Sequence, residues 1–136
     1  MHPSESIHDV LRFGLIVSAM MFALVLWGYG RGGQGRGYYF MAVSAVTEAC
    51  RHVALLVLPP SGFVSFGADM ELVLRGVLLI YAAQLFLGYT WSLATLLLLF
   101  GSSAGVALFS FIDIDPLLAH VPGAFLSVLG YWGCAI

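Results

Sequence analysis

Long apolar runs alternate with short polar breaks along the chain. Runs of about 20 apolar residues cross a bilayer as helices. The first run covers 10–29 and ends at the glycine-rich stretch GRGGQGRG, residues 30–37. The second covers 38–58 and stops at Pro59-Pro60, because proline cannot continue a helix. A mixed stretch, SGFVSFGAD, follows and reads as a loop.

The apolar region from Leu72 to Ile112 is about twice one membrane thickness, so it folds back as a hairpin. GYTWS supplies the turn, with Thr90 or Ser92 as N-cap, which gives spans at 71–88 and 92–112. The break IDIDP places an N-cap at Asp115 before an N1 proline, Pro116. The last run, 116–136, contains Pro122 and is expected to kink there. The pattern therefore predicts an all-α integral membrane protein, one polytopic domain of about five transmembrane helices with short loops. A re-entrant or interfacial last segment gives the four-span variant.

Arg31 and Arg36 lie in the first loop, whereas the stretch from Pro59 to Met70 has neither Lys nor Arg. Positive loops stay cytoplasmic, which puts the N-terminus outside. This threading collects Trp27, Tyr29, Tyr38, Tyr39, Tyr89, Trp91, Tyr131 and Trp132 at the inner headgroup level, where such residues concentrate. The start of the chain carries Glu5 and Asp9 ahead of its first arginine, unlike a secretory signal, so the first run is expected to stay as an anchor.

Composition strengthens this picture. The chain has 136 residues, 61% hydrophobic and 9% charged; soluble domains carry about 25% charged residues. A mean hydropathy of +1.00 makes the bilayer its solvent. Five arginines, no lysine and a net charge of −2 leave no basic surface for nucleic acid. Cys50 and Cys134 fall at different depths, which argues against a bridge between them.

One feature breaks the apolar pattern. VTEACRH places Glu48, Arg51 and His52 near the middle of the second span. An unpaired charge there costs about 2.5–3.5 kcal/mol on insertion scales. The i, i+3 and i, i+4 spacings put all three on one helix face, where Glu48 can accept from Arg51 or from protonated His52. Gln84, Ser102, Ser103 and Arg75 are candidate partners from other spans. Asp9–Arg12 and Glu71–Arg75 repeat the acid-then-arginine spacing and read as local neutralisation. The central cluster reads either as a polar contact locking the span to a neighbour, or as a proton-handling site tuned around His52.

Small residues four apart let helices approach closely. Gly101 and Gly105 form a GxxxG, and Gly14–Ser18, Ala45–Ala49 and Gly130–Cys134 repeat the small-xxx-small pattern. Arg31 and Arg36 are expected to touch lipid phosphate, because GRGGQGRG lacks the ending of a phosphate-binding loop. No cofactor is expected. Haem ligation by His52 and His120 is disfavoured by their different depths. A metal site built from His2, His8 and His120 with Asp9, Asp113 and Asp115 is specified by no spacing.

No catalytic constellation is legible, and loops of about a dozen residues leave little room for a soluble active site. The chain is expected to be a non-catalytic subunit of a larger membrane assembly, in a plasma, inner or organelle inner membrane. Its partners would be lipid and other membrane subunits or further copies. A proton- or ion-conducting subunit using Glu48 and His52 is the alternative. A phage-type hole-forming protein is a further one, weakened by the uncharged GCAI ending.

Overall fold

A computed structural model describes residues 3–33, 35–59, 61–88, 91–109, 111–112, 118 and 120–135, with side chains from residue 6 onward. The described chain forms five helices: α1 (Pro3–Arg31), α2 (Gly37–Val57), α3 (Gly62–Leu87), α4 (Leu93–Phe109) and α5 (Val121–Ala135). Three stretches are long and apolar enough to cross a membrane: Ser6–Arg31, Gly37–Val57 and Gly62–Leu87. This all-helical architecture fits a helical membrane protein. Helix α4 has 17 residues and α5 has 15; at 1.5 Å per residue α5 is only about 22 Å long.

The helix ends follow from local chemistry. Leu58 precedes Pro59 and is driven to an extended conformation (φ −82°, ψ 143°), which closes α2. Ser61 caps α3 by accepting from Val64 N at 3.2 Å. Gly88, at φ +77°, ends α3 in the left-handed conformation that favours glycine. Ser92 caps α4 by accepting from Thr95 N at 3.2 Å. Thr90, the other candidate cap, lies outside the described residues, as do Asp115 and Pro116.

Three boundaries differ from the sequence expectation. Helix α3 starts at Gly62, not 71, so SGFVSFGAD is not a loop: the Ser61 cap opens a helix through it. Helix α1 starts at Pro3, because the polar residues before the first apolar run are also helical. Helix α5 starts at Val121, which puts Pro122 in its first turn, where its missing N–H has no intrahelical acceptor to lose. No mid-span kink at Pro122 follows.

Helix α3 is the centre of the bundle, packing on α2, α4 and α5, while α1 lies on α2. Contacts between α3 and α5 rise together along both helices, which makes the two parallel. Gly123 sits on Leu72 and Val73, Gly76 on Leu126 and Ser127, Gly130 on Leu79 and Ile80, and Gly133 on Ala83. Helix α4 connects them and returns alongside. Its only buried residue among those described is Ala107, and much of the remaining bundle surface is apolar.

One end of the bundle is aromatic. Trp27 meets Tyr39 edge-on at 4.8 Å, Tyr29 stacks on Tyr38 at 5.5 Å, and Tyr38 meets Phe86 at 4.9 Å. Trp91 joins this end by donating its backbone N–H to Gln84 Oε1 at 3.1 Å. Tyr131 and Trp132 directly precede Gly133, which packs near this end on Ala83, whereas Tyr89 lies outside the described residues.

Candidate functional site

The polar residues of VTEACRH lie where α2 crosses α3. Glu48 contacts Arg75 of α3 directly. Arg51 Nε lies 3.8 Å from Glu71 Oε2, also on α3. The two helices are therefore joined by two ion pairs of opposite direction, acid to base and base to acid, and the four formal charges cancel. His52 Nε2 is 3.8 Å from Glu48 Oε1, an ion contact only when the imidazole is protonated.

This corrects the pairing expected from spacing. Glu48 does not take Arg51, and Glu71 does not take Arg75; each acid reaches across to the other helix. Both in-helix spacings allow a contact, but the crossing places an opposite charge of the other helix within reach of each acid. Arg12 likewise turns from Asp9 and donates Nη1 to Leu55 O of α2 at 3.0 Å, tying α1 to the end of α2.

Burial makes the pairing matter. His52 and Arg75 are each 8% exposed. Several atoms of the cluster have no hydrogen-bond partner among the described residues: Arg51 Nε, His52 Nδ1, Arg75 Nε and both oxygens of Glu71. Thr47, on the same cleft as Glu71, commits its hydroxyl proton to Ser44 O at 2.8 Å. Buried polar groups are normally satisfied, so this end of the interface retains unused bonding capacity.

The remaining candidates separate into two groups. Ala45 and Ala49 are buried, at 4% and 3% exposure. Gly130 is in backbone contact with α3, and Cys134 of the same pair donates Sγ–H to Leu79 O at 3.6 Å. By contrast Gly14, Gly101 and Gly105 have nothing from another helix within 4 Å of where a Cβ would stand, among the described residues. Ser18 is exposed, and Ser102 bonds its own helix at Leu99 O, 3.2 Å away. Arg31 and Arg36 are exposed beside a turn in which Gly33 and Gly35 have positive φ.

Close helix packing thus falls mainly on residues the spacing argument passed over: Gly76, Gly123, Ser127 and Gly133. A signal was present, since Gly123-x-x-x-Ser127 is itself a small-xxx-small pair and Gly130 follows Gly123 by one heptad.

Cys50 and Cys134 are both free. His52 is buried on α2, whereas His120 is exposed just before α5. No group of three or more His, Cys, Asp or Glu side chains is arranged to hold a metal among the described residues. His2, Asp113 and Asp115 lie outside them. Compared with known proteins, the chain matches no family model, no curated protein and no solved structure.

Proposed function

We propose that the protein is a non-catalytic subunit of a larger membrane assembly, threaded as five spans with its N-terminus outside. The observation that carries this reading is the use made of the charges at the α2–α3 crossing. Glu48, Arg51, Glu71 and Arg75 pair across α2 and α3 and hold the bundle together, with no net charge left over. Helices α1 and α4 meanwhile keep glycines whose Cβ positions face no other helix among the described residues: Gly14, Gly101 and Gly105. In lipid such faces favour docking to another helix.

The test is the native particle. The tagged protein is extracted gently from its own membranes, and the mass and composition of the particle are measured. Stoichiometric larger subunits support the accessory role. A particle of this chain alone, monomer or ring, overturns it.

Proton handling is the second reading, favoured by one observation: His52 Nδ1 and both Glu71 oxygens are buried without a hydrogen-bond partner among the described residues. It predicts that Glu48→Gln abolishes proton flux in liposomes while the protein still accumulates in membranes. Unchanged flux with Glu48→Gln removes this reading.

A further inference from the structure

Two acids meet at the α2–α3 crossing, and they are not equivalent. Glu48 contacts Arg75 directly, and its side chain is 26% exposed. The Glu71 side chain is 14% exposed, and Arg51 Nε across the crossing stands 3.8 Å from it, beyond hydrogen-bond range. Both Glu71 oxygens are buried with no donor among the described residues. A buried carboxylate without hydrogen bonds is costly, and such a group neutralises by taking a proton. Thr47 points the same way. It is the hydrogen-bonding neighbour of Glu71 on α2, and its own hydroxyl proton already goes to Ser44 O at 2.8 Å. What it offers Glu71 is an acceptor, and only the protonated acid has a hydrogen to give it.

We infer that Glu71 is the proton-binding group of this crossing, with Arg51 as its counter-charge and Thr47 as the acceptor of the bound proton. Resting on the proton-handling reading, this places the proton on Glu71, not on Glu48 or His52, and requires no flux. Glu48 is held by Arg75. A charged His52 would face three guanidiniums, those of Arg12, Arg51 and Arg75, against the one carboxylate of Glu48. The groups facing Glu71 are Thr47, Glu48 and Arg51 from α2, Arg75 from its own helix and the phenol of Tyr131 from α5. The residues of α4 carry no charge. With the proton off, the four charges of the crossing cancel; with it on, Arg51 is left unbalanced. Exchange requires the carboxyl to turn into the cleft that Glu71, Thr47 and Arg51 line.

Infrared spectroscopy reads the proton directly, because the C=O stretch of a carboxylic acid is separate from the carboxylate bands. The full-length chain is held in dodecyl maltoside, a detergent without a carbonyl group. Difference spectra are taken between about pH 8 and about pH 5.5, where exposed carboxyls stay ionised. A carboxylic band is expected to appear on acidification and to shift in heavy water. Glu71→Gln, which has the shape of the protonated acid, is expected to remove it. Glu71→Asp, which keeps a carboxyl, is expected to retain it at a displaced frequency. Glu48→Gln is expected to leave it in place. Arg51→Gln takes away the counter-charge, so the band is expected to be larger than in the parent chain at the same pH.

Circular dichroism checks that the helices of each variant are intact. If Glu48→Gln fails to fold, the pair Glu71→Gln and Glu71→Asp decides alone. A band that survives Glu71→Gln, no carboxylic band in this pH range, or a band no larger in Arg51→Gln each overturns the assignment. A band kept in Glu71→Gln and lost in Glu48→Gln returns the proton to Glu48 and leaves the proton-handling reading standing. Unchanged liposome flux in Glu48→Gln, with the Glu71 band present, removes conduction alone and leaves the proton on Glu71.

Discussion

Helix α3 is held on two sides by opposite means. Against α2 it uses charge: Glu48 with Arg75, and Arg51 with Glu71. Against α5 it uses the absence of side chains, with Gly76, Gly123, Gly130 and Gly133 bringing the two backbones together. In water the hydrophobic effect would join either pair. In lipid that drive is absent, and helices associate through van der Waals packing and interhelical polar contacts. The α3–α5 contact exploits the first of these along several turns. The α2–α3 contact concentrates the second at one level. A glycine seam is cheap to build and intolerant of added volume. An ion-pair crossing tolerates shape changes and fails when one charge loses its partner.

The largest expected effect comes from splitting an ion pair. Arg75→Met leaves the half-buried Glu48 carboxylate without its main partner and should destabilise the bundle by up to about 3 kcal/mol. Unfolding in mixed micelles measures it. Adding Glu48→Leu to the same chain removes the stranded charge and should recover most of the loss. A double variant as weak as the single one would mean that the crossing depends on shape, not charge, and the contrast with α5 would vanish.

Adding volume to the glycine seam should cost less. A Cβ at Gly76 overlaps the backbone of α5 at Ser127 N, and one at Gly123 overlaps α3 at Val73 N. Gly76→Ala and Gly123→Ala should each destabilise by about 1–3 kcal/mol, as overpacked cores do. Unlike the charge pair, they should not rescue each other, because each methyl meets a different stretch of backbone. Recovery in the double variant would show that α5 can slide along α3.

Much of the helical layout is legible in the sequence, because apolar runs and their punctuation respond to local chemistry. The prolines after Leu58, the glycine at 88 and the serine at 92 each act within a few residues of themselves. The start of α3 is hidden in the sequence because polar residues such as Ser65 and Asp69 resemble a loop, while the deciding feature is a single cap, Ser61. The site was only partly legible. Spacing located Glu48, Arg51 and His52 as a cluster and named Arg75 among the available partners. It could not cross-pair them, since the choice depends on where α3 passes. Glycine spacing has the same limit: it permits close approach without naming the partner. Gly101 and Gly105 have the stronger motif and no neighbouring helix among the described residues, whereas Gly123 and Gly130 have the neighbour.

A smaller effect distinguishes packing from hydrogen bonding within the seam itself. Ser127 Oγ donates to Leu72 O at 3.4 Å, a long bond in a buried position. Interhelical hydrogen bonds in membranes average about 0.6 kcal/mol. Ser127→Ala should therefore cost about 0.6 kcal/mol or less, well below Gly76→Ala. A loss of the same size as Gly76→Ala would move the α3–α5 contact into the polar class and erase the distinction.

The smallest expected effect lies on α4. A Cβ at Gly101 or Gly105 meets nothing within 4 Å among the described residues, so Gly101→Ala with Gly105→Ala should not weaken the isolated chain. Helix propensity alone would favour alanine at both positions. The informative measurement pairs two readouts, unfolding of the purified chain and mass of the native particle. Unchanged unfolding with a smaller particle would make α4 the outward counterpart of α5, a glycine face whose partner belongs to another molecule. An unchanged particle would leave lipid as the neighbour of α4 and confine the glycine mode of packing to the interior, where Gly76 and Gly123 already use it.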